Sequence, residues 1–131
     1  MSRARVALIT GAARGIGLAC ARRLAREGVA CALVDLDPAA ASQAAKSLEG
    51  KAVGLGADVT REDEVRRAFA RAREVLGVVN VLVNSAGITG ATRPAWEVEP
   101  DEVRRVMEVN FMGTFLACVT AIPSMAEQGW G

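Results

Sequence analysis

The sequence has no histidine and no tyrosine among its 131 residues, and three cysteines. Lacking histidine, it has no imidazole metal ligand and no Ser-His or Cys-His catalytic pair. Lacking tyrosine, it has no phenol to act as acid or base. Cys20, Cys31 and Cys118 are odd in number, widely spaced and not in a C-x-x-C pair. They read as buried, reduced thiols rather than a zinc site or a disulfide framework, so no metal is expected. Charge of one sign is also missing. With 16 Lys+Arg against 15 Asp+Glu, the net charge is +1, far from the basic excess of a nucleic-acid-binding surface. No stretch is expected to reach the roughly 20 apolar residues of a membrane span. The run Val6 to Thr10 is too short for a signal-peptide core. These absences point to a cytoplasmic protein without membrane or nucleic-acid partners.

What is present is a globular composition, 51% hydrophobic and 24% charged, sized for one domain. Four short apolar runs stand out: Val6–Thr10, Cys31–Asp35, Ala52–Leu55 and Val78–Asn84. Each is continuous rather than alternating, as in parallel strands buried on both faces, and a helix-spaced segment follows each. The first helix is expected over Gly15–Glu27, with Gly28 as its stop. Asp37 caps the second, and Pro38 occupies its first turn. Thr60 and Asp63 resemble a capping box for the third, with Glu62–Arg66 and Asp63–Arg67 paired on its outer face. The last helix begins near Pro100. Its stripe runs through Val103, Val106, Met107, Asn110, Phe111, Thr114, Phe115, Cys118 and Ile122, with a bend expected at Pro123. The pattern βαβαβαβα predicts an α/β three-layer sandwich of Rossmann type, a parallel sheet in the order 3-2-1-4.

Five places can carry chemistry. Thr10-Gly11-Ala12-Ala13-Arg14-Gly15-Ile16-Gly17 joins the first strand to the first helix. Its glycines let backbone approach a pyrophosphate, and the helix N-terminus offers free N–H groups. Asp35 ends the second strand, 18 residues past Gly17, where an acid reads a ribose 2′-hydroxyl and repels a 2′-phosphate. This favours NAD over NADP; otherwise Asp35 only caps a strand end. Asp58-Val59 follows the third strand, where the acid can meet an adenine amino group and the valine its ring; otherwise it is a loop. Asn84-Ser85-Ala86-Gly87 ends the fourth strand, with small residues that let a cofactor pass or an Asn that ties strand ends together. Asn110 lies on the last helix's apolar stripe, either a satisfied core amide or a site residue holding a water or a backbone carbonyl.

Together these motifs resemble the short-chain dehydrogenase/reductase family: T-G-A-A-R-G-I-G, V-D-L-D, A-D-V-T, N-S-A-G for the family's N-N-A-G, and M-E-V-N, in order along the chain. The resemblance implies an NAD-dependent oxidoreductase, similar to 3-oxoacyl carrier-protein reductases and to sugar or polyol dehydrogenases. It implies that Gly11, Arg14, Gly15, Ile16 and Gly17 hold the cofactor's phosphates and adenosine. Asp35 would select NAD, and Asp58 and Val59 would hold adenine. Asn84, Ala86 and Gly87 would border the nicotinamide, and Asn110 would be the Asn of the family's Asn-Ser-Tyr-Lys catalytic group. Ser85 replaces the family's second Asn. The family's Ser and Tyr-x-x-x-Lys follow a fifth strand that this sequence does not reach. Residues 1–131 therefore read as the N-terminal cofactor-binding portion of such an enzyme, one whose intact form takes a small carbonyl or alcohol substrate and forms a homo-oligomer. The alternatives are a dinucleotide-binding module without turnover and a fragment that does not fold by itself.

Overall fold

A computed structural model describes residues 3–131. The four apolar runs form β1 (Val6–Thr10), β2 (Ala30–Asp35), β3 (Ala52–Gly56) and β4 (Val81–Asn84). They pair in parallel in the expected order β3-β2-β1-β4. The helices α1 (Gly15–Arg26) and α2 (Pro38–Lys46) cover one face of the sheet, and α3 (Glu62–Leu76) and α5 (Gly113–Gln128) cover the other. The strands alternate between two cores. Ala7, Ile9, Cys31 and Leu33 pack toward Ala21 and Ala25, while Val6, Leu8, Ala32 and Val34 pack toward Val65, Phe69 and Ala121. This is why the runs read as continuous: both faces are apolar.

Local signals explain most boundaries. Asp37 caps α2, accepting from the N–H groups of Ala39 and Ala40 at 3.0 and 3.1 Å, with Pro38 in the first turn. Gly28 closes the end of α1 at φ +76°. Glu62–Arg66 and Asp63–Arg67 form the expected exposed ion pairs at 2.7 and 3.2 Å.

Four expectations are corrected. The fourth strand starts at Val81 rather than Val78: at Asn80 the side chain takes over the pairing with the start of β1, accepting from the Val6 N–H at 2.9 Å and donating to the Ala4 carbonyl at 3.0 Å. The Thr60–Asp63 capping box does not form. The Thr60 hydroxyl donates to Asp58 instead (2.7 Å), and α3 begins one residue later than a Thr60 cap requires.

The last helix is the third. It comprises α4 (Pro100–Met107), a π-helical turn (Glu108–Met112) and α5, and it runs on through Pro123. It packs through its small residues Gly113, Ala117 and Ala121, so the stripe of large residues faces outward, with Phe111 60% exposed and Ile122 55%. The fourth concerns length. The continuous segment Pro100–Gln128 spans 29 residues and, by length and composition alone, is apolar enough to cross a bilayer. Its small-residue face is nevertheless buried against the sheet layer, as in a flanking helix of an α/β fold.

Candidate functional site

A cleft of about 900 Å³ opens at the carboxyl ends of the strands, within the usual range of small-molecule sites. Parallel sheets place such a cleft at the crevice where connections diverge to opposite faces. Here β1 is that point: β2 lies on one side of it and β4 on the other.

The turn from β1 to α1 forms the floor. Gly11 adopts φ +60°, and a Cβ there would stand 2.7 Å from the Ala86 Cα. Only glycine meets both conditions. A Cβ on Gly17 would collide with the Gly11 carbonyl oxygen, so this glycine lets α1 rest directly on the turn. The amino end of α1 has no side-chain cap, and its first turn carries no acid. The first turns of α3 and α4 are acidic, and Asp37 caps α2. The free N–H groups of α1 thus meet the cleft without a protein anion to neutralise them.

Asp35 stands beside this turn. One carboxylate oxygen accepts from the Ala13 N–H at 3.1 Å, the other from the Asp37 N–H at 3.2 Å. Each oxygen retains a lone pair for a ligand hydroxyl. Asp58 is organised differently. Its Oδ1 accepts both the Thr60 N–H (2.9 Å) and the Thr60 hydroxyl (2.7 Å). Its Oδ2 makes no hydrogen bond among the described residues. Val59 lines the cleft but is largely buried, its methyl groups filling the space above Gly113.

At the end of β4, the reading of Asn84 as a tie between strand ends is corrected. Its amide donates to the Cys118 sulfur at 3.5 Å. The tie is made by Thr10, whose hydroxyl oxygen accepts from the Ser85 and Ala86 N–H groups, both at 3.2 Å. Of the two readings of Asn110, the core amide is corrected, since the residue is exposed, while its hold on a backbone carbonyl is present. Its partners are nevertheless complete on one residue. Oδ1 accepts the Ile88 N–H at 2.8 Å, and Nδ2 donates to the Ile88 carbonyl at 2.9 Å. The π-helical turn carries Asn110 to the segment after β4, and Gly87 leaves room for it.

Gly11, Arg14, Gly15, Ile16, Asp35, Asp58, Val59, Ala86 and Gly87 all line the one cleft. Gly17 lies beneath it; Asn84 and Asn110 do not line it, and of the two only Asn110 bonds to a lining residue, Ile88. Of the three cysteines, Cys31 alone is fully buried. Its thiol is pushed up to about 11 by loss of solvent, while Cys20 and Cys118 are half-buried, which corrects the expectation for those two.

A family model described as short chain dehydrogenase matches residues 5–131. The chain belongs to that family. This short-chain dehydrogenase chain is 38% identical to a 2-dehydro-3-deoxy-L-rhamnonate dehydrogenase (NAD(+)) of Sphingomonas sp., over 97% of its own length and 51% of the relative's. It is 42% identical to 2-(S)-hydroxypropyl-CoM dehydrogenase 3 of Xanthobacter autotrophicus, over 96% of itself and 50% of the relative. Among solved structures it resembles a 3-ketoacyl-(acyl-carrier-protein) reductase from Brucella melitensis complexed with NADH. The TM-score is 0.90 at 36% identity, covering 96% of this chain and 53% of that one. The chain thus spans about half the length of the curated relatives it matches.

Several further residues line the cleft, of which Leu36, Glu108 and Val109 fall inside V-D-L-D and M-E-V-N without a role having been expected for them, and Ile88 and Arg105 fall outside the motifs. Leu36 and Ile88 directly follow motif residues and are apolar surface in the cleft wall. Arg105, Glu108 and Val109 reach the cleft from α4 and the π-helical turn. None of the three stands at the i,i+3 or i,i+4 spacing from Asn110 that marks one helical face, so helical periodicity gave no signal for them.

Proposed function

We propose that the chain is the dinucleotide-holding portion of an NAD-dependent oxidoreductase, which moves a hydride between nicotinamide and a small carbonyl/alcohol pair and works as a homo-oligomer. The observation that carries this reading is the pairing of two complementary groups in one cleft. The uncapped, acid-free N-terminus of α1 supplies donors for a pyrophosphate, and the Asp35 carboxylate beside it supplies acceptors for a ribose diol. The open space beside Gly15, where an added Cβ would meet nothing within 4 Å, and the backbone contact of Gly11 with Ala86 fit a cradle for phosphates.

In this reading Gly11, Arg14, Gly15, Ile16 and Gly17 hold the phosphates and adenosine. Asp35 selects the unphosphorylated ribose and so prefers NAD, since a 2′-phosphate would meet its negative charge at close range. Asp58 accepts from the adenine amino group through its free oxygen, and Val59 and Leu36 supply apolar walls. Asn84, Ala86 and Gly87 border the nicotinamide. Asn110 holds Ile88 through both backbone polar groups and so fixes the segment beside the reacting ring. The bound cofactor supplies the hydride chemistry; the residues here bind it, orient it and exclude water.

Titration calorimetry of the chain with NAD and with NADP tests the proposal. NAD binding with NADP weaker is the expected result. No heat with either overturns the reading, and tighter NADP overturns the role of Asp35, making Arg14 the 2′-phosphate contact.

A further inference from the structure

The turn that presents Asp58 and Val59 is held from outside itself. Within it, the Thr60 N–H and hydroxyl donate to the Asp58 carboxylate at 2.9 and 2.7 Å, and the Arg61 N–H donates to the Asp58 carbonyl at 3.0 Å. The Asp58 N–H, at the head of the turn, is taken by none of these. It donates to Oε2 of Glu64 at 2.8 Å, across six residues, from the first turn of α3. The other oxygen of Glu64 pairs with the Arg61 guanidinium at 3.0 Å. One carboxylate therefore grips both ends of the four-residue turn, Asp58 through its backbone and Arg61 through its side chain.

The turn has little freedom on its far side. Val59 is buried, and a Cβ on Gly113 would lie 2.6 Å from a Val59 methyl carbon. Glu64 behind and Gly113 in front thus fix how far Asp58 projects into the cleft. The neighbouring acids of the same helical turn do not share this role: Glu62 pairs with Arg66, and Asp63 with Arg67 and, more distantly, Arg61.

We propose that Glu64 is the positioning residue for the base-recognition turn: by holding the Asp58 N–H and Arg61, it sets the Asp58 carboxylate at the depth that distinguishes a 6-amino purine from a 6-oxo purine. The proposal rests on the reading of the cleft as a dinucleotide site. Glu64 touches no ligand; it acts through the turn. A hydrogen bond to a charged acceptor is worth about 1.5–3 kcal/mol, or roughly 10–100-fold, and part of that is expected to appear in binding.

The test is titration of the full 131-residue chain with AMP and with IMP, whose base bears a 6-oxo group. Wild type should prefer AMP. Glu64→Asp keeps the charge at the helix end but is one methylene too short to grip the turn; it should lose about 10-fold for AMP, little for IMP, and so erode the preference. Glu64→Gln keeps an oxygen to accept from the Asp58 N–H but loses the charge and the Arg61 pair, and its AMP/IMP ratio should fall between those of Glu64→Asp and wild type. Glu62→Gln removes an acid from the same helical turn and should leave the AMP/IMP ratio at the wild-type value. Equal ratios in wild type and Glu64→Asp, or equal losses in the Glu62 and Glu64 variants, overturn the positioning role while leaving the dinucleotide reading intact. A wild-type chain that binds neither AMP nor NAD overturns both.

Discussion

Asp35 performs two jobs, and replacing it with alanine separates them. Without any ligand, its carboxylate closes the turn after β1 onto the end of β2 by accepting the half-buried Ala13 N–H at 3.1 Å. The Asp37 N–H bond at 3.2 Å is more exposed and contributes less, since water replaces the carboxylate there. Leaving a partly buried N–H without an acceptor costs about 1–2 kcal/mol. In a domain of this size that lowers Tm by roughly 3–10 °C. With ligand, the variant also loses two hydrogen bonds from ribose hydroxyls to a charged group. At about 1.5 kcal/mol each, NAD affinity falls by roughly 100-fold. NADP gains relief from charge repulsion but meets a turn whose phosphate-holding N–H groups are less firmly placed. The preference therefore narrows mainly because NAD weakens. Thermal unfolding of the free chain and calorimetric titration with both dinucleotides measure the two jobs independently. An unchanged Tm in Asp35→Ala refutes the clamp. An unchanged NAD affinity refutes the ribose contact. If wild type binds NADP more tightly than NAD, the specificity argument fails whatever the variant does.

The chain alone is expected to show no dehydrogenase turnover, since it holds no tyrosine, and a positioned acid is worth about 10²–10⁴-fold; steady NADH formation with a simple secondary alcohol above a buffer control contradicts this. Burial raises the Cys31 thiol from 9.0 to about 11, so its contribution to stability is complete below pH 9 and is lost as pH rises toward 11. The loss should be about 3 kcal/mol, and Cys31→Ala should flatten the stability profile over that window; a wild-type profile already flat there rejects the assignment. The outward stripe of α4–α5, through Met107, Phe111, Phe115 and Ile122, lies on the chain that also leaves β4 paired with β1 alone among the described strands. Every 400 Å² of such surface left in water forgoes about 10 kcal/mol, and an open strand edge recruits further chains, so sedimentation should detect self-association. A dilute, salt-insensitive monomer with a sharp transition above about 60 °C would sink that expectation.

The strands and their order were legible because the signals are local and redundant. Each run is apolar on both faces, and Asp37-Pro38 and Gly28 mark helix ends by their own backbone preferences. The phosphate turn was legible for the same reason: Gly11 and Gly17 answer to contacts within or next to the motif. What the sequence hid depends on distant partners. Nothing local says that the Asn80 amide serves Ala4 and Val6, or that Asn110 closes on Ile88. The burial of the last helix was misread because large residues outweigh small ones in any hydrophobic pattern. Gly113, Ala117 and Ala121 won the interior by allowing close approach, with Val59 seated over the glycine. The Thr60–Asp63 spacing points one register step short of Glu64, because Arg61 and not Thr60 stands at the cap of α3.

The charged groups around the cleft divide binding from catalysis. Reducing a carbonyl, or oxidising an alcohol, requires a proton to be given to or taken from the substrate oxygen. Arg14 and Arg105 present guanidinium groups, which do not release protons in proteins. The carboxylates of Asp35 and Asp58 are committed as acceptors, to Ala13 and Asp37 in one case and to Thr60 in the other. Each keeps a lone pair free to accept from a ligand, Asp58 through Oδ2. Glu108 is an exposed carboxylate on the π-helical turn, with no bond to either aspartate among the described residues. Thr10 has its hydroxyl oxygen facing two N–H donors, Ser85 and Ala86. Every one of these arrangements favours accepting hydrogen bonds or attracting negative charge, which is what a dinucleotide's hydroxyls, amino group and phosphates demand. Acceptors and positive charge side by side in one cleft are therefore what a titration of the chain with NAD and with NADP reads directly.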